Sequence, residues 1–119
     1  MLKGFEIETA PLSEYEEKVL LPVMVRGLYN KFGKRMAVKN GYICERLKSS
    51  GYDITEARVR KLISHIRING LVPRLIASSA GYYISSDKKE LAEYIDSLRG
   101  RELAIRAVRE AMEEQSAGL

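Results

Sequence analysis

Apolar residues recur along this chain in two rhythms. The first opens after Ser13-Glu14-Tyr15-Glu16, whose spacing is that of a capping box, a side-chain oxygen and an acid satisfying each other's backbone N–H. Val19, Leu20, Val23, Met24, Leu28 and Phe32 then follow at helical intervals and predict a helix from 13 to about 32. Pro22 falls inside it and removes one intrahelical donor, so a kink is expected near 18–21, with Gly33 as the stop. Met36-Ala37-Val38 reads as a brief strand, and Asn40 as the N-cap of a helix over 41–50 that Gly51 ends. Its core face is Ile43 and Leu47, with Tyr42 and Cys44 at the margin. Thr55 caps a third helix, 55–69, in which Val59, Leu62, Ile63 and Ile66 form one apolar stripe and Asn69-Gly70 the stop.

After this the rhythm changes. Residues 71–77 and 82–85 are β-prone runs around Ser78-Ser79-Ala80-Gly81, the pattern of a hairpin, with Tyr82 and Tyr83 facing opposite sides. Asp87 then caps a last helix of about 25–28 residues, which Gly100 weakens and could bend. Leu91, Leu98, Ile105 and Met112 lie seven apart on it, with Val108 between, while Ala104, Ala107 and Ala111 allow close approach. Its first half is expected to pack on its own domain. A small domain cannot cover the far half, so Leu98, Ile105, Val108 and Met112 are expected to meet a second copy. Residues 1–12 read as an extended arm.

Charge sharpens this outline. Residues 31–74 carry eleven Lys and Arg against only Glu45, Asp53 and Glu56, whereas acids outnumber bases on both sides. The whole chain is only +4, so the excess is concentrated where two helices and a turn are predicted. A cationic block of this kind attracts polyanions by releasing their condensed counterions.

The order helix, short strand, helix, turn, helix, hairpin, and above all Ile54-Thr55-Glu56-Ala57-Arg58-Val59-Arg60-Lys61-Leu62-Ile63 followed by Asn69-Gly70-Leu71-Val72, resembles the winged helix-turn-helix superfamily over residues 13–86. The chain is also similar to small winged-helix proteins of phages and prophages. The resemblance implies an α+β fold, a three-helix core with a hairpin wing, followed by a separate C-terminal helix over 87–119. It also implies double-stranded DNA as partner, with helix 55–69 in the major groove.

On a helical wheel Ala57, Lys61, Ser64 and Ile68 point away from the apolar stripe, with Arg58, Arg60 and His65 on the flanks. Arg58, Arg60 and Lys61 are candidates for guanine edges or phosphates. Thr55 reads as an N-cap that can also touch phosphate; Glu56 serves the helix dipole or accepts from cytosine. The resemblance places Lys34, Arg35 and Lys39 at the DNA backbone, and Arg67 and Arg74 near the base of the wing. The wing tip, with Ser78 and Ser79, carries no cation.

Other chemistry finds little support. His65 is the sole histidine and Cys44 the sole cysteine, which excludes an internal disulfide and cysteine-rich metal clusters. Cys44 is expected as a small buried hydrophobe. No Gly-rich phosphate loop, paired catalytic carboxylates or nucleophile motif is present, so an enzyme is not expected, nor a cofactor. No apolar run approaches the roughly 18–20 residues that cross a bilayer, and no signal peptide is visible, so a cytoplasmic protein is expected. The rival expectation is a winged-helix adaptor that binds proteins instead of DNA.

Overall fold

The computed structural model of the protein describes residues 9–119, so residues 1–8 of the expected arm lie outside the described residues. The chain divides into two compact units, the first ending at Ser86 and the second spanning Asp87–Leu119. Among the described residues the architecture is α+β: four helices and one two-stranded antiparallel hairpin.

The capping box forms as the spacing predicts. Ser13 N–H donates to Glu16 Oε1 at 2.8 Å, and Glu16 N–H to Ser13 Oγ at 3.1 Å. A π-helical turn follows, Glu16–Leu20, and leads into α1, Leu21–Leu28. The irregularity expected at 18–21 is therefore a widened turn. Pro22 has no N–H for a carbonyl four residues back and its ring would strike it; instead Leu21 N–H reaches back to Glu16 O.

α1 ends four residues before Phe32, because the chain turns away to meet the hairpin. Ile84 N–H donates to Lys31 O at 2.7 Å and Gly33 N–H to Ile84 O at 2.9 Å. Gly33, at φ +80°, serves this turn and not the helix end, and Phe32 is left 54% exposed. A 3₁₀ turn, Lys34–Met36, takes the first residue of the expected short strand, and Ala37 joins no strand. Only Val38 pairs, exchanging both backbone bonds with Tyr82.

α2 spans Asn40–Ser49, with Lys39 and not Asn40 at the N-cap. Cys44 and Leu47 are its buried residues, Cys44 as the small buried hydrophobe expected, whereas Ile43, expected on the core face, is half-buried. The thiol donates to Ile54 O at 3.7 Å.

α3, Glu56–Ile68, starts at Thr55, whose Oγ1 accepts from Arg58 N–H. Strands β1, Leu75–Ser78, and β2, Gly81–Ile84, pair with Leu75 opposite Ile84 and Ser78 opposite Gly81. β1 begins later than expected because Pro73 lacks a donor and Arg74 turns the chain at φ +63°. Tyr83 is buried and Tyr82 half-buried. The first unit's core joins Leu20, Met24 and Leu28 to Leu47, Val59, Leu62, Ile63 and Ile66, with Val72 and, from the hairpin, Leu75 and Ile84. Each such side chain contributes about 1.5–3 kcal/mol when fully buried.

The second unit is α4, Lys88–Ser116, a continuous helix that Gly100 does not interrupt. Asp87 caps it by accepting from Lys89 N–H at 2.9 Å. None of its residues is buried.

Candidate nucleic-acid interface

The two faces of α3 are chemically distinct. Val59, Leu62, Ile63 and Ile66 are all buried in the core. Arg60, Ser64 and Ile68 are exposed on other sides of the helix, and Lys61, His65 and Arg67 are half-buried. Lys61 makes no ion pair among the described residues.

Arg58 departs from the expected arrangement. The helical wheel puts it on the DNA-reading flank, yet its guanidinium is turned into the protein. Its Nε donates to Glu16 Oε2 at 2.8 Å and its Nη2 to Glu16 Oε1 at 2.7 Å. The same group donates to the carbonyls of Ala10, at 3.0 Å, and Pro11, at 3.1 Å. Side-chain exposure is only 14% for Arg58 and 10% for Glu16. Hydrogen bonds from Arg58 outweigh the opposing effect of burial and bring the Glu16 carboxyl from its ordinary 4.5 down to about 2. The same bonds raise the Arg58 pKa. Arg58 is a structural cation that fastens the described end of the arm to the first turn of α3.

Several other expected contacts are built into the scaffold. Arg67 Nε donates to Leu75 O at 3.2 Å, joining the last turn of α3 to the hairpin, and Arg74 Nε donates to Ser85 O at 3.2 Å. Ser78 Oγ donates to Gly81 O and accepts from Ala80 N–H, which closes the hairpin turn. Ser79 is exposed at its tip. Thr55 acts as the N-cap, and Glu56 is exposed beside it.

Asn40 has a role that the sequence pattern concealed. Its Nδ2 donates to Glu56 O at 2.9 Å, and its Oδ1 accepts from Tyr82 OH at 2.9 Å. One amide thus ties the start of α2, the start of α3 and β2 together. An asparagine ahead of a helix looks like a cap, and nothing local distinguishes a cap from this bridge. The tie brings Lys39, its exposed neighbour, close to the first turn of α3. Lys34 and Arg35 are exposed on the preceding 3₁₀ turn. None of these three forms an ion pair among the described residues.

No protein-family model, curated protein or solved structure matches the chain.

Among the described residues no group of three or more His, Cys, Asp or Glu could hold a metal ion, and no helix is long and apolar enough to cross a membrane. On α4, Leu98, Ile105, Val108 and Met112 are exposed, between 39% and 69% of their surface.

Proposed function

We propose that the chain is a winged helix-turn-helix protein that binds double-stranded DNA through α3, as a cytoplasmic regulator of transcription or of phage replication. The observation that carries the reading is the outward side of α3. Arg60 and Ser64 are exposed there and Lys61 is half-buried, while the opposite face is locked in the core. A helix so presented fits the major groove, and cations beside it supply the phosphate contacts that dominate affinity. Lys34, Arg35 and Lys39 extend the same positive surface beyond α3. Glu56 and His65 border it, while Arg67, Arg74 and Ser78 brace the wing and Ser79 stands at its tip. In this reading α3 inserts, the 3₁₀ turn and α2 rest on the backbone, and no chemical step or cofactor is involved. Two copies join through Leu98, Ile105, Val108 and Met112 of α4, which suits readers of paired half-sites.

Fluorescence anisotropy of the full chain on a random-sequence duplex tests the proposal. Affinity should fall steeply between about 50 and 200 mM salt. Arg60→Gln with Lys61→Gln should weaken binding at least tenfold, as loss of two charged contacts predicts. Duplex affinity unchanged by that pair would reject the placement of α3. Preference for unpaired probes would instead mark a single-strand binder.

A protein-binding adaptor is the second reading. The uncharged hairpin tip and Ile68, 81% exposed one turn beyond Ser64, favour it. It predicts no duplex binding even at low salt.

A further inference from the structure

We infer that the groove between α1 and α2 is a binding site for a small amphiphilic acid: an apolar body of medium chain length or a single aromatic ring system, ending in a carboxylate. The groove encloses about 290 Å³ and is open along one side. Val23, Leu28, Ile43 and Leu47 supply apolar walls. At the roughly 30 Å³ that a water-sized atom occupies in a liquid, the space suits a body of about ten non-hydrogen atoms. That is too short for a docked helix, which needs anchors spread over two turns.

Charge selects the end group. Lys31 and Arg46 also line the groove, and among the described residues neither side chain forms an ion pair or hydrogen bond. Two uncompensated cations beside apolar walls match one carboxylate on an apolar body. Gly27 supplies an independent observation. It lies in the last turn of α1, its φ is not positive, and a Cβ there would meet nothing within 4 Å. Neither backbone geometry nor crowding requires glycine at this helical position, where alanine is the better helix former. A longer side chain at this lining position would have open space to enter.

The site shares α2 with the proposed DNA surface but none of the residues assigned to DNA contact, and its test does not depend on that reading. Octanoate and octanol, which share a chain length and differ in charge, are titrated into the ¹⁵N-labelled full chain and followed by NMR. Octanoate should give saturable shifts centred on the Gly27, Tyr42 and Tyr52 amides. Octanol should bind about tenfold more weakly, the difference expected for one charge-assisted contact. Lys31→Gln with Arg46→Gln should bring octanoate to the octanol level. Gly27→Leu, which fills open space, should block both ligands while the remaining spectrum keeps its folded dispersion. Equal affinity for the two ligands would overturn the inference, as would binding that survives Gly27→Leu. Absence of saturation would do the same. Shifts of the groove amides with protein concentration alone would show that a second copy covers it, and would equally end the proposal.

Discussion

Glu16 and Arg58, 42 positions apart, share two hydrogen bonds of 2.7 and 2.8 Å in a part-buried contact. Glu16 Oε1 also accepts from Ser13 N–H, so one carboxylate both starts the first helix and grips the third. Removing one member of such a pair strands the other charge. Glu16→Ala should cost about 3 kcal/mol in urea unfolding, whereas Glu16→Leu with Arg58→Met should recover much of the loss. Arg58→Met should leave duplex affinity per folded molecule unchanged, in contrast to Arg60 and Lys61. A selective loss of DNA binding in Arg58→Met would return Arg58 to the recognition surface.

The same pair sets an acid limit on stability. Its folded-state carboxyl sits at about 2, below the 4.5 of the free group, so the folded form holds its proton less tightly. The stabilisation is complete above pH 4.5 and is lost as the pH falls from there toward 2. Wild-type unfolding free energy should therefore drop through this window, and the drop should be shallower in Glu16→Leu with Arg58→Met. Parallel curves for the two proteins would show that other groups govern the acid transition.

Gly81 stands where β2 touches the segment before α2. It holds φ +120°, and a Cβ there would lie 2.5 Å from Val38 O. Gly81→Ala should cost at least about 2 kcal/mol, from strained backbone and a displaced Val38–Tyr82 pair. Gly51→Ala, at φ +90° in open space, should cost only about 1 kcal/mol. Thermal denaturation of both variants measures the difference, and equal losses would mean that the close approach carries no weight.

Arg74 occupies a left-handed conformation that glycine would adopt without strain. Arg74→Gly relieves about 1 kcal/mol of strain but forfeits a side-chain bond to Ser85 O of similar worth, so its unfolding free energy should stay within about 0.5 kcal/mol of wild type. Arg74→Val keeps the strain and loses the bond, and should fall by about 1–2 kcal/mol. A strongly stabilised glycine variant would show that the guanidinium bond contributes nothing.

For α4 the expected outcome is a change in assembly. Wild type should sediment at twice the 13.5 kDa chain mass, and Ile105→Glu with Val108→Glu at the single-chain mass. Because both side chains are exposed, the far-ultraviolet spectrum should be retained. A monomeric wild type would remove the dimer from the proposal.

Local signals in the chain were sufficient for much of this architecture. The capping box at Ser13, the Thr55 cap and the stripe of Val59, Leu62, Ile63 and Ile66 depend on neighbours within two helical turns, and each formed where the spacing put it. Errors arose where a distant strand competed. Phe32 continues the apolar rhythm of α1, yet β2 captures Lys31 and Gly33 and draws the chain out of the helix. Among the candidate DNA contacts, Arg60 and Ser64 emerged exposed, while Arg58 did not because its partner lies far away in sequence. The bridging role of Asn40 is hidden for the same reason: its two partners belong to other elements.

The widened turn at Glu16–Leu20 has a further consequence for how this domain tolerates change in length. A helix advances by about 100° per residue, so one surplus residue rotates everything upstream of it by that angle relative to α1. Shortening the chain by one residue in this turn would restore ordinary helical winding, but would swing the Ser13–Glu16 cap to another side of the axis. The bulge around Pro22 thus acts as an angular spacer, making residue count as well as residue identity a condition for joining the chain's beginning to α3.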